Sequence, residues 1–126
     1  MTALQVAENG SLKLQHSIST LPAAYQEPST IADVHLSKDG KFLYASNRGH
    51  NSIAVFKIDN TGALQSIGHV DTHGKAPRNF HVTNDGKWML VANQDSSNIS
   101  LYDLQKGDLP VFVKSVDIGT PVCIVE

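Results

Sequence analysis

Two arginines, Arg48 and Arg78, are the side chains in this 126-residue sequence best suited to chemistry on an anion. A guanidinium offers a planar fork of donors that can grip a carboxylate or a phosphate bidentately. Arg48 lies in Asn47-Arg48-Gly49-His50-Asn51 and reads equally well as an anion-binding group and as a surface ion-pair partner. Asp33 and His35 stand two residues apart. On a strand they face the same side, so the carboxylate could orient the imidazole for proton transfer. His81 recurs at the matching place further on, which also gives His35 a structural reading. No third ligand of matching spacing accompanies Asp33 and His35, so no metal site is expected. His16, His69 and His73 are expected on solvated outer strands or loops.

The elements that would carry these residues come from an internal repeat. Residues 32–58 align without a gap on 78–104 at a period of 46. His35 falls on His81, Asp39-Gly40-Lys41 on Asp85-Gly86-Lys87, Asn47 on Asn93 and Ile53 on Ile99. Asp33 matches Asn79, and Phe42 matches Trp88, a pair expected in the core. Short β-branched runs and Asp-Gly turns suit four antiparallel strands per repeat, a propeller blade, better than a helical array. In the first repeat the strands are expected near 32–37, 42–46, 52–58 and 64–70. Residues 3–18 match the last two strands of a blade, with Asn9-Gly10 as their turn. Residues 121–125 match a first strand, with Cys123 a buried structural thiol. The fold class is therefore all-β, a fragment of a β-propeller: 1–31 as the end of one blade and an inserted loop, 32–72 and 73–119 as full blades, and 120–126 as the first strand of another. Propellers have about four to eight blades, and blades cannot bury both faces without neighbours. Self-association or membership of a longer chain follows.

In such a meander the loop before strand one and the loop between strands two and three share one end. That end gathers Asp33, His35, Asn47, Arg48 and His50 from one blade with Pro77, Arg78, Asn93 and Gln94 from the next. The long stretch from Ser19 to Ile31 belongs to the same end, as a rim over the site or as a solvated loop. Function on a β-scaffold tends to sit in loops held by a rigid frame. The formal net charge of -2 gives no basic footprint for nucleic acid. No apolar run is long enough to span a membrane, and no signal peptide is read, so a cytoplasmic location is expected.

The segment Ala32-Asp33-Val34-His35-Leu36-Ser37-Lys38-Asp39-Gly40-Lys41-Phe42-Leu43-Tyr44-Ala45-Ser46-Asn47-Arg48-Gly49-His50-Asn51 resembles the propeller-type lactonases, which include bacterial 6-phosphogluconolactonase and fungal carboxymuconate cycloisomerase. Ala76-Pro77-Arg78-Asn79-Phe80 and Asn93-Gln94-Asp95-Ser96-Ser97-Asn98-Ile99 resemble the segments that follow, and Thr120-Pro121-Val122-Cys123-Ile124 resembles the family's C-terminal end. The resemblance implies a seven-bladed ring, of which this chain is a C-terminal portion. It implies hydrolysis of a small-molecule sugar lactone, 6-phosphoglucono-δ-lactone first, without a cofactor. It also implies that Arg48 is the active-site arginine and that His35, Arg78 and Gln94 line the same cleft; with the shared end of the blades this gives Arg48 and His35 as catalytic groups and Arg78, Gln94, Asn47 and Asp33 as substrate-binding ones. Further catalytic groups, a histidine and a glutamate, would come from earlier blades. A binding or scaffold module and an inactive partial chain are the alternatives, since fold does not fix function.

Overall fold

The computed structural model describes residues 1–126 as ten β-strands and no helix. Strands β1 (Thr2–Val6) and β2 (Leu12–Ser17) form an antiparallel hairpin. The first complete blade is β3 (Thr30–Leu36), β4 (Phe42–Arg48), β5 (Ser52–Ile58) and β6 (Leu64–Asp71), hydrogen-bonded in that order. The second is β7 (Pro77–Val82), β8 (Trp88–Asn93), β9 (Asn98–Asp103) and β10 (Val111–Asp117), again in chain order. The tight turns follow from local chemistry. Asp39 Oδ1 accepts the Ser37 hydroxyl at 2.7 Å and the Lys41 N–H at 3.1 Å, and Gly40 supplies φ +70°, which a β-carbon would disfavour. Thr83, Asp85, Gly86 and Lys87 repeat the arrangement one blade on.

Alternation of side chains gives the first blade two apolar faces. Tyr44, Ile53 and Val55 point toward the second blade and meet Phe80, Met89, Val91 and Tyr102. Ala45, Ala54 and Phe56 point the other way, against Met1 and Ile18 at the ends of the N-terminal hairpin. A strand buried on both faces reads as an unbroken apolar run, and Ile53-Ala54-Val55-Phe56 is such a run, fully buried throughout. Phe42 and Trp88 are half-buried, with Phe42 flanking the core.

The blades are tied by a carboxylate. Asp33 Oδ2 accepts the Phe80 N–H at 3.1 Å and the Asn79 amide at 2.6 Å, and His35 Nε2 lies 3.1 Å from the same oxygen. Asn79, the repeat counterpart of Asp33, makes the next link, its Oδ1 accepting the Ile124 N–H at 2.7 Å. Asp33 and His35 do form a pair, and that pair joins strands.

Two expectations fail at the C-terminal end. Residues 121–126 form no strand. A first strand pairs with the second strand of its own blade, and no such strand follows within these residues; the Asn79 link, a Glu126 contact to the Asn84 N–H at 2.8 Å and the His81–Glu126 contact at 3.2 Å hold them. Cys123 is consequently exposed. His69 also departs from the solvated reading. It is half-buried, with Nε2 2.9 Å from the Thr20 carbonyl.

That contact is one of several pinning the segment between β2 and β3. Thr20 is buried, its hydroxyl donating to Asn47 Oδ1 at 2.7 Å while the Asn47 amide donates to the Thr20 carbonyl at 2.7 Å. Tyr25 sets its ring edge-on to His50, centroids 4.7 Å apart, and His50 packs against His69 at 5.6 Å. Burial, then the neighbouring His69, holds the His50 imidazole below its usual pKa of 6.5, with Asp71 opposing weakly.

Three outcomes are expected. Asp33→Ala leaves the Phe80 N–H and the Asn79 amide without their acceptor and should lower stability by roughly 2–3 kcal/mol, the scale for a hydrogen bond to a charged group; chemical denaturation measures it. His50 is less basic folded than unfolded, so below about pH 6.5 the unfolded chain takes up a proton that the folded one resists, and stability drains as pH falls. Amide protection over residues 19–29, taken relative to the intrinsic exchange rate at each pH, should therefore fall between pH 7 and pH 5, and His50→Gln should flatten that dependence. Finally, Leu4, Val6, Leu12 and Leu14 all lie more than half exposed on the hairpin. Apolar area of this kind drives association, so the chain should sediment as more than a 13.6 kDa monomer at micromolar concentration.

Candidate functional site

Where β4 ends and β7 begins, an open cleft of 620 Å³ lies between the two blades. Arg48, Gly49 and Asn51 form one wall, Lys75, Ala76 and Arg78 the other, with Pro28–Thr30, Gln94 and Asp95 along the rim. One of its 11 lining residues is hydrophobic, so the cleft suits a polar, charged ligand rather than an apolar one.

Each cation is set by its backbone. Arg48 closes β4 opposite Thr30. Its carbonyl accepts the Ser29 hydroxyl at 2.8 Å, and the Ser29 oxygen takes the His50 N–H at 3.3 Å. Gly49 follows at φ +108°, and a β-carbon there would run into the Pro28 carbonyl oxygen. Glycine is what lets the 28–30 segment lie against Arg48. Arg78 occupies the register irregularity of β7, between the pairs Pro77–Asn93 and Asn79–Ala92. A bulge re-aims the side chain it carries. Lys75 is fixed by its own N–H donating to the Ser96 hydroxyl at 2.7 Å and its carbonyl accepting the Asp95 N–H at 3.1 Å. The Gln94 N–H donates to the Ala76 carbonyl at 3.0 Å.

None of the protein's ion pairs involves Arg48, Arg78 or Lys75. Asp95 is the single carboxylate lining the cleft, and it is not within ion-pair reach of any of them. The Arg48 Nε is buried and has no hydrogen-bond partner. A buried donor left open costs about 1–3 kcal/mol. Three unneutralised cations converging on a concave polar surface make a field that favours an anion.

Arg48, Arg78 and Gln94 thus come together. The other proposed site residues do not. Asn47 is buried and spends its amide on Thr20 and on the Ser52 hydroxyl, 3.2 Å away. Asn93 repeats the clamp on the Thr72 carbonyl at 2.9 Å and the Ser100 hydroxyl at 3.2 Å. Asp33 is occupied by the inter-blade link. His35 lines a separate hollow with Lys38 and Asn84, further along the strand. Reading these as site residues followed from their end of the blade, and their hydrogen bonds assign them to the frame. Sequence reasoning missed Lys75 and Asn51. Their placement depends on left-handed backbone at His73, Ala76 and Asn51, with φ of 52°, 54° and 54°. No glycine marks those positions. A further hollow at the opposite end, among the Asp-Gly turns, offers Lys38 as its only cation, and Lys38 already donates to the Asn84 carbonyl at 2.7 Å.

Comparison with known proteins places the chain in one family. The family model described as "Lactonase, 7-bladed beta-propeller" matches residues 1–126. The 6-phosphogluconolactonase of Formosa agariphila is 46% identical over 106 residues, covering 80% of this chain and 30% of that protein. The 6-phosphogluconolactonase of Bacillus subtilis is 32% identical, covering 85% and 32%. Among solved structures, the periplasmic gluconolactonase PpgL of Pseudomonas aeruginosa superposes with a TM-score of 0.89 at 29% identity, covering 95% of this chain and 34% of that one. The chain spans about a third of the length of these relatives. With two antiparallel four-stranded blades and part of another, it belongs to the seven-bladed β-propeller lactonase family and holds a fragment of that ring.

Proposed function

We propose that this chain contributes an anion-binding wall of a lactone hydrolase, and that the lactone is 6-phosphoglucono-δ-lactone, opened to 6-phosphogluconate within a longer propeller. The observation that carries the reading is the group of Arg48, Arg78 and Lys75, facing one cleft with no carboxylate in ion-pair reach. Relatives named 6-phosphogluconolactonase support the choice of substrate.

In this reaction a water oxygen attacks the lactone carbonyl carbon and loses a proton to a base. The carbonyl oxygen becomes an oxyanion, and its collapse breaks the ring C–O bond. The departing ring oxygen takes that proton back from the base, leaving a hydroxyl and a carboxylic acid, which ionises to the carboxylate and releases a proton to solvent. Arg48 is the group for the developing oxyanion. Its backbone is fixed at the end of a strand and its guanidinium is engaged by no other group, so it is free to meet charge as it appears. Arg78 and Lys75 hold the substrate's phosphate, whose two charges match two cations, and Gln94 can bond a sugar hydroxyl. The base comes from the remaining arc of the ring. His35, engaged with Asp33 outside the cleft, takes no step here. No cofactor enters the scheme.

In a complete ring carrying this segment, Arg48→Ala should lower kcat/KM by about 10²–10³, the scale for one oxyanion donor. Arg48→Lys should recover little, because a point charge lacks the planar fork. Arg78→Ala should chiefly raise KM for the phosphorylated lactone. Acid release, corrected for spontaneous hydrolysis, measures all three. Wild-type kinetics in Arg48→Ala would remove the arginine from the site.

A further inference from the structure

The two cationic walls belong to different blades, and one side chain spans them. Asn51, at the end of the 48–51 connection, accepts the Ala76 N–H on its Oδ1 at 3.0 Å and the Gly49 N–H on the same oxygen at 3.4 Å. Its backbone carbonyl accepts both the N–H and the hydroxyl of Thr72, at 3.1 and 2.9 Å. One residue therefore bonds the loop that presents Arg48 to the connector that presents Lys75 and Arg78.

The repeat separates frame from site at this position. Ser97 is the counterpart of Asn51 and has the same left-handed backbone, φ 54° in both. The backbone link recurs as well, since the Ile118 N–H donates to the Ser97 carbonyl at 2.8 Å. Thr120 at φ 43° matches Ala76 at φ 54°. What does not recur is the side-chain bond: Ser97 makes no contact equivalent to Asn51 Oδ1 on Ala76. Serine is thus sufficient for the fold of this turn, and the carboxamide is present only where the cleft is. Arg48 faces Gln94 across the repeat and Arg78 faces Ala32, so Asn51 departs from the period alongside the two arginines.

We propose that Asn51 is a positioning residue of the cleft, its carboxamide oxygen setting the separation of the Arg48 wall from the Lys75–Arg78 wall and thereby the affinity for a phosphate-sized anion. This rests on the anion-binding reading of the cleft. The bonded carboxamide holds the cations converged before the ligand arrives, although like charges favour spreading apart; preorganisation of this kind raises affinity without a new contact.

The test uses the 126-residue chain with inorganic phosphate as the probe, followed by calorimetric titration and by hydrogen exchange over 48–51 and 72–78. Asn51→Ser installs the residue that the second repeat carries in this conformation. It should weaken phosphate binding about tenfold, the equivalent of one hydrogen bond, and speed exchange at Gly49 and Ala76, with the melting temperature nearly unchanged. Arg48→Ala should abolish saturable binding. If Asn51→Ser binds like wild type while Arg48→Ala does not, the positioning role is wrong and the anion cleft stands. If Arg48→Ala matches wild type, bound or unbound, the cleft reading fails and this role falls with it. A lowered melting temperature with unchanged affinity marks Asn51 as structural only, and overturns the proposal. Should Asn51→Ser not fold, Asn51→Gly, which accepts the left-handed backbone freely, replaces it; loss of folding in both overturns the proposal too.

Discussion

When one blade covers the first strand of the next, backbone donors at the junction lose water and must find acceptors. In this protein a single carboxylate oxygen answers that need. Asp33 Oδ2 takes the Phe80 N–H, the Asn79 amide and the contact from His35. The apolar layer of Tyr44, Ile53, Val55, Phe80, Met89 and Tyr102 supplies attraction between the blades, but it is non-directional and would tolerate a sliding shift. The Asp33 link fixes the register in which they pack. The cleft is shared between the blades, so the geometry of Arg48 relative to Arg78 depends on that register.

The repeat explains both what could be read from the sequence and what was misread. Period, strand number and turn chemistry were legible because each blade solves the same problem with the same residues: an Asp-Gly turn, an alternating apolar core, an asparagine near the end of the second strand. Asn47 and Asn93 looked like site residues because they sit at the loop end of the blade. Their recurrence was the contrary signal. A buried asparagine that clamps the incoming connector is needed in every blade, and both spend their amides that way. Asp33 and His35 do form the expected pair, and its carboxylate oxygen also serves the inter-blade link, since an orienting pair and such a link use the same two residue types. The positions that matter to the cleft are those where the repeat breaks: Arg48 against Gln94, Arg78 against Ala32, Asn51 against Ser97.

Lys75 escaped sequence reading for a different physical reason. Its connector turns through His73 and Ala76 in left-handed backbone without glycine, a conformation uncommon for residues with a β-carbon. One local and two long-range hydrogen bonds fix it. The Ala76 N–H is taken by Asn51, the His73 N–H by Asp71, and the Asn98 amide donates to the His73 carbonyl at 3.1 Å. The Asp71 bond is local, but those from Asn51 and Asn98 are tertiary, and no local pattern could disclose them. Cys123 was misplaced by the opposite error. An apolar run was read as a buried strand, but burial needs a neighbouring strand, and none pairs with residues 121–126.

The cleft itself opposes stability. Three cations without counter-ions repel one another, and the buried Arg48 Nε forgoes a hydrogen bond. A fold tolerates such a group only where the surrounding structure over-determines it. That condition is met by elements that never touch the ligand. Thr20 and Asn47 exchange two hydrogen bonds in a buried setting, His69 meets the same Thr20 carbonyl, and Ser29 bonds the Arg48 carbonyl from the far end of the segment. The insertion between β2 and β3 is thus bonded to the blade near both of its ends, and its length lets Pro28 and Ser29 reach the rim. Tyr25 of the insertion packs on His50, whose partial burial and neighbour His69 disfavour the charged imidazole. Those hydrogen bonds keep the backbone behind Arg48 in place. Rigidity there is what allows a guanidinium to remain unpaired and aimed at the cleft instead of folding back onto the protein's own carboxylates.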